Sequence, residues 1–212
     1  MKKLIALLLA LTLIVGLCAC GKTETKTPET TQATEQTEPA ETTEAIDQPI
    51  ETTPTVPANE ATDTLTIIWD AYEGEEFFSM GGDFNSAVDG APGNYDLADE
   101  GLTATFLVPA EQLDNLVCAS TLMHGMLANN FACGMYLVAD DADAKAFADA
   151  MKAAIDGNQW MCGMPEKVLI ATVDTQFVMV AFGLNDTITS LEAALTSVHP
   201  GAEILYNEPI AQ

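Results

Sequence analysis

Few side chains in this 212-residue sequence suit nucleophilic or proton-transfer chemistry: five cysteines and two histidines, His124 and His199. A serine or cysteine nucleophile needs a base within hydrogen-bond reach, and only these two imidazoles offer one. His124 stands among Met123, Gly125 and Met126, the setting of a partly buried helix histidine. His199 precedes Pro200-Gly201 at an expected helix end, where an imidazole meets the last carbonyls. Cys118, Cys133 and Cys162 are too widely spaced for a structural zinc site, and their odd number leaves at least one unpaired if the chain is exported. Calcium coordination by Asp83, Asn85 and Asp89 fails at Ala87 and Val88, where a calcium loop places an oxygen ligand and a glycine. Asp140, Asp141 and Asp143 are more simply the negative start of a helix. No metal and no cofactor is expected, and no catalytic constellation is visible.

The most unusual local feature is residues 158–165 (NQWMCGMP). Connections between elements are normally polar, yet this one holds Trp160, Met161, Cys162 and Met164. These residues either plug the end of a core or form an adaptable apolar surface, where Trp and Met are favoured. Asn185, in the connection at the same expected sheet end, would complete a pocket for a ligand or partner.

Charge narrows the partners. The chain has no arginine, and residues 63–212 carry three lysines against 23 acidic side chains, a formal charge of −20. Phosphate backbones require clustered basic residues, so nucleic acid is excluded as a partner.

Two lysines precede an apolar run over residues 4–17, shorter than the roughly 20 residues a spanning helix needs. This is the pattern of a secretory signal. The stretch Leu17-Cys18-Ala19-Cys20-Gly21 resembles the lipobox of bacterial lipoproteins, with small Ala19 before the lipidated cysteine. The resemblance implies that residues 1–19 are removed and that Cys20 becomes a lipid-modified N-terminus held in the membrane, with Cys18 lost. Residues 21–62 are dominated by Thr, Glu, Pro, Gln and Ala. They cannot bury enough apolar surface to offset their chain entropy, so a disordered acidic tether of about 35 Å is expected.

One domain follows, over 63–212. Residues 131–139 (FACGMYLVA), 167–173 (KVLIATV) and 176–182 (QFVMVAF) have strand length and strand composition, with Asp174-Thr175 as a turn. Ala144, Phe147, Met151 and Ala154 recur at helical spacing behind Asp143, and Gly157 marks a stop. A second helix carries Ile188, Leu191, Leu195 and Val198 behind an Asn185-Asp186 cap, and a short strand ends the domain. The order over 131–212 is β-α-β-β-α-β, predicting an α+β, ferredoxin-like split arrangement with both helices on one face. In 176–182 both alternating sets are apolar, so the second face also needs cover, expected from 63–130. There a helix capped at Asp63, a Gly/Asn/Asp-rich loop over 81–101, a strand or helix over 102–108 and a helix over 109–130 are expected.

The order of parts, with GGDFN (81–85), FACGMYLV (131–138) and GNQWMCGMPEK (157–167), resembles uncharacterised lipoproteins of Firmicutes gut bacteria. That resemblance implies a lipid-anchored domain at the outer face of the cytoplasmic membrane and no activity. The expectation is a non-catalytic binding or accessory module for a protein or small ligand. The rivals are a carboxylate-dependent hydrolase and a spacer or assembly component.

Overall fold

A computed structural model describes residues 59–126, 131–161 and 163–211. The expectations for the leader, Cys20, Cys162 and the tether up to residue 58 lie outside the described residues, whereas residues 59–62, expected in the disordered tether, form the cap and first turn of a helix. No helix among the described residues is long and apolar enough to cross a membrane.

The described residues are α+β, built on an eight-stranded antiparallel sheet. Helix α1 (Glu60–Asp70) leads to short strands β1 (Ser79–Gly81), β2 (Val88–Asp89) and β3 (Gly93–Tyr95). A single turn α2 (Gly101–Ala104) and a 3-10 helix (Ala110–Asn115) precede β4 (Leu116–His124) and β5 (Ala132–Val138). The rest is α3 (Ala144–Gly157), β6 (Lys167–Thr172), β7 (Phe177–Gly183), α4 (Asn185–Val198) and β8 (Glu203–Pro209).

Local chemistry explains the ends of these elements. Asp143 caps α3 by accepting from the backbone N–H groups of Lys145 and Ala146. Asp174 accepts from Gln176 and Phe177 and holds the β6–β7 turn. Helix α1 begins earlier than expected, because Asn59 and not Asp63 supplies the cap: its side chain accepts from the Thr62 N–H at 2.8 Å. Helix α4 has no side-chain cap of its own. The Glu166 carboxylate, arriving from outside the helix, accepts the Asn185 N–H at 2.9 Å instead.

The strand order is β2-β1-β4-β5-β7-β6-β8, with β3 also paired to β4. The expected β-α-β-β-α-β succession is present in β5 to β8, but the ferredoxin-like order is not. That order would return the last strand beside the first, whereas β8 pairs with β6. The cause lies upstream. Residues 116–124 form a strand where a helix was expected, and β4 occupies the edge of β5 that β8 would have used. Apolar residues in this stretch fit both periods, and pairing with β5 decides between them.

One consequence follows for the layers. The crossovers β5-α3-β6 and β7-α4-β8 step the same way along the sheet from antiparallel strands. If both are right-handed, their helices fall on opposite faces. The two cores show this, against the expectation of a shared face. Phe147, Met151 and Ile155 of α3 pack with Val178, Val180 and Phe182 on one side, joined by Leu102, Phe106 and Val108. Leu65 and Ile68 of α1 and Ile188, Leu191 and Leu195 of α4 cover Met179 and Ala181 on the other. The segment before β4 therefore contributes to both faces. The alternating β7 side chains are the direct sequence trace of this three-layer stack.

The Gly-rich region from 81 also proves ordered. β1 and β3 lie end to end along one edge of β4: Gly81 is opposite Leu122 and Gly93 opposite Thr121. The short strands carry no periodicity of their own, so composition alone resembled a loop.

Candidate functional site

Trp160 lies half-buried on the α3 face, its ring 5.3 Å from that of Phe182. Met161 and Met164 are exposed, Met161 at 90%. Asn185 is exposed at the first turn of α4, whose apolar side covers the opposite face. The structure thus brings Trp160 to the expected sheet end, since Gly183 pairs with Lys167 there. It does not set Trp160 and Asn185 on a common face. The Trp160 Nε1–H is buried with no acceptor among the described residues. Replacing Trp160 by Ala is expected to cost about 2 kcal/mol, below the ~3–5 of a fully buried aromatic. Trp160→Phe keeps an aromatic ring of smaller area and removes the orphan donor, so its loss should stay below about 1 kcal/mol. Urea unfolding checks both, and an unshifted midpoint for Trp160→Ala would show that the ring bears no packing load.

The acids divide between structural work and open surface. Residues 140–145, with Thr172, Asp174, Thr175, Gly201 and Glu203, border a groove of about 780 Å³. Its acids are partly engaged: Asp143 and Asp174 accept backbone N–H groups, and Asp140 accepts the Gln176 side-chain amide. Asp83 is also internal: its carboxylate accepts from Asn85 and Ser86 through Oδ1 at 2.8 and 2.9 Å, and from Asp96 through Oδ2 at 3.2 Å. Burial disfavours its charge. The Ser86 side chain and the backbone N–H groups of Asn85, Asp96 and Ser86 outweigh this and hold its pKa below the usual carboxylate range. Its partners are therefore the protein's own amides. No group of three or more metal-ligating side chains is assembled among the described residues.

His124 is a strand residue, not a helix residue as its neighbours suggested. Its ring stacks on Phe77 at 5.3 Å with only 8° between planes, and its Nδ1 accepts the Met126 N–H. That stack belongs to a larger aromatic assembly whose buried member is Phe131, in contact with both Trp69 and Phe77. Trp69 and Tyr72 stack at 4.7 Å, and Phe77 stands edge-on to both, at 63° and 80°. Trp69 is anchored by its Nε1–H, which donates to the Gly90 carbonyl at 2.9 Å. Gly74 lets the Tyr72 ring lie close over the loop backbone: a Cβ at residue 74 would overlap the phenol. Burial, against the lowering effect of the Thr187 side chain, raises the Tyr72 pKa, so this ring stays a neutral phenol.

These rings border an open cleft of about 500 Å³ between the end of α1 and the start of β1. Glu73, Glu75 and Glu76 stand along its lip, all exposed. No protein family, curated protein or solved structure matches this chain. The side chains themselves must therefore say what the cleft suits. Aromatic faces offer dispersion and a negative quadrupole, and the carboxylates offer charge, which together suit binding more than bond-breaking.

Sequence reasoning missed this cleft because Trp69 and Tyr72 sit at helical spacing after Leu65 and Ile68 and pass for core. A signal was present. Residues 69–78 (WDAYEGEEFF) interleave four aromatic and four acidic side chains, a density that a plain amphipathic helix does not need.

Proposed function

We propose that the chain is a membrane-anchored extracytoplasmic lipoprotein whose domain is a non-catalytic binding module, with the cleft between α1 and β1 as its ligand site. Cys20 would carry the lipid at the outer face of the cytoplasmic membrane, and the acidic tether would hold the domain clear of it. The observation that supports a binding role is the aromatic cleft: Trp69, Tyr72 and Phe77 line one concave surface together with three exposed carboxylates. A concave surface that combines aromatic side chains with convergent polar groups is how proteins hold small ligands.

Two experiments test the reading. Cys20→Ala should move the protein from the membrane fraction to the medium, while Cys18→Ala leaves it anchored; retention of Cys20→Ala in the membrane would refute the anchor. A photo-crosslinking side chain at position 76, beside the cleft, should give discrete adducts on intact cells that the same group at exposed Glu111 does not give. Identical adduct patterns from both positions would refute the cleft as the site.

A further inference from the structure

Resting on the binding-module reading, we infer that the cleft takes an organic cation, an ammonium group bearing apolar substituents. Three observations converge on this class. The first is ring geometry. Trp69, Tyr72 and Phe77 all border the cleft; they pack on one another and on His124 and Phe131, so the cleft meets the outer side of one aromatic cluster. A cation is drawn to such rings by their quadrupoles, most strongly where water is partly excluded.

The second is uncompensated charge. Glu73, Glu75 and Glu76 lie within four residues on the same lip. Residues 63–212 have only three lysines to neutralise acids, and all three are committed elsewhere. Lys145 pairs with Asp149, Lys152 with Asp156 and Glu208, and Lys167 with Glu192. No ion pair to Glu73, Glu75 or Glu76 is found among the described residues. A cation arriving at this lip displaces no internal partner.

The third is shape. The cleft volume of about 500 Å³ suits a small molecule rather than a bare ion. Its apolar share would be idle against a hydrated metal, which prefers oxygen ligands in closed geometry. A substituted ammonium uses both parts: its alkyl groups meet the rings, and its diffuse charge lies near the carboxylates without full dehydration.

The test uses the full-length protein in detergent and three probes followed by calorimetry: choline, its neutral isostere 3,3-dimethylbutan-1-ol, and calcium chloride. Choline is expected to bind at least about tenfold more tightly than the isostere, with affinity falling as sodium chloride is raised. Glu73→Gln, Glu75→Gln and Glu76→Gln combined should weaken choline by about fivefold or more, and these exposed substitutions leave the fold intact. Tyr72→Leu should weaken it about threefold or more; since Tyr72 also packs on the core, its melting temperature is read in parallel. Equal affinity for choline and the isostere would overturn the cation assignment while leaving the cleft a binding site. Binding of calcium alone, lost in the triple variant, would replace the organic cation with a metal. Heat from none of the probes would also overturn the assignment, whereas the binding-module reading itself is judged by crosslinking from position 76.

Discussion

Gly93→Ala is expected to destabilise the domain by about 3 kcal/mol, the upper end of ordinary overpacking, because no side chain can move to relieve it. A Cβ on Gly93 would lie 2.7 Å from the Gly82 nitrogen and 2.9 Å from the Gly81 carbonyl carbon, both backbone atoms. Real Cβ contacts do not approach so closely. The crowding arises because β1 and β3 share one edge of β4, and their ends meet at Gly81 and Gly93. Gly81 faces the reciprocal constraint, its added Cβ falling 2.6 Å from the Thr121 carbonyl oxygen. For a domain of this size the loss corresponds to a melting shift of roughly 6–12 °C. Gly157→Ala is the control: nothing lies within 4 Å of its would-be Cβ and it closes α3, so the change should be neutral or slightly stabilising. A Gly93→Ala protein melting within a degree of wild type would mean that the backbone at the tandem junction yields to the added methyl group.

The second large effect is at Asp83. Removing its carboxylate in Asp83→Ala strips an acceptor from the N–H groups of Asn85, Ser86 and Asp96 at a site only 8% exposed. A cost of about 2–4 kcal/mol is expected at neutral pH. The pH dependence has a defined sign. The folded pKa lies below the unfolded value, so the stabilisation is fully present above the unfolded pKa of about 4 and is lost as pH falls toward the folded value. Asp83→Asn retains a carbonyl acceptor but no charge, so its deficit against wild type should be constant from pH 7 to 5 and shrink below about pH 4. Denaturation curves across that range would show it, and a deficit unchanged down to pH 2.5 would rule out a charged Asp83 as the pin of this loop. The pair Gly81 and Asp83 gives the GGDFN stretch a structural meaning: one residue permits the close strand junction and the other ties the loop that leaves it.

Elements whose signal is local were legible. Helix α3 carries its own cap in Asp143, and β6 and β7 carry β-branched runs with a turn residue between them, so each is specified within a dozen residues. β4 was not legible, since LVCASTLMH satisfies either period until β5 lies beside it. β1, β2 and β3, at two or three residues each, are too short to show any period. For the site, Trp160 stands out because a tryptophan in a connection is unusual, whereas Trp69 and Tyr72 are hidden by a helical spacing that also fits a core.

By itself, the sequence determined the strongly acidic balance, the absence of any basic cluster for nucleic acid, the α+β class, and the need for cover on both faces of β7. These follow from composition and from periodicity over a few neighbouring residues. Only the tertiary structure decided that β8 joins β6, that α3 and α4 take opposite faces, and that an aromatic cluster borders a cleft beside three glutamates. Those outcomes depend on contacts between distant residues: Ile170 opposite Tyr206, Phe147 against Val180, Leu191 against Met179, and Trp69 with Gly90. Such contacts are settled by which edges are already occupied and which faces remain uncovered, and no local pattern in the chain records either.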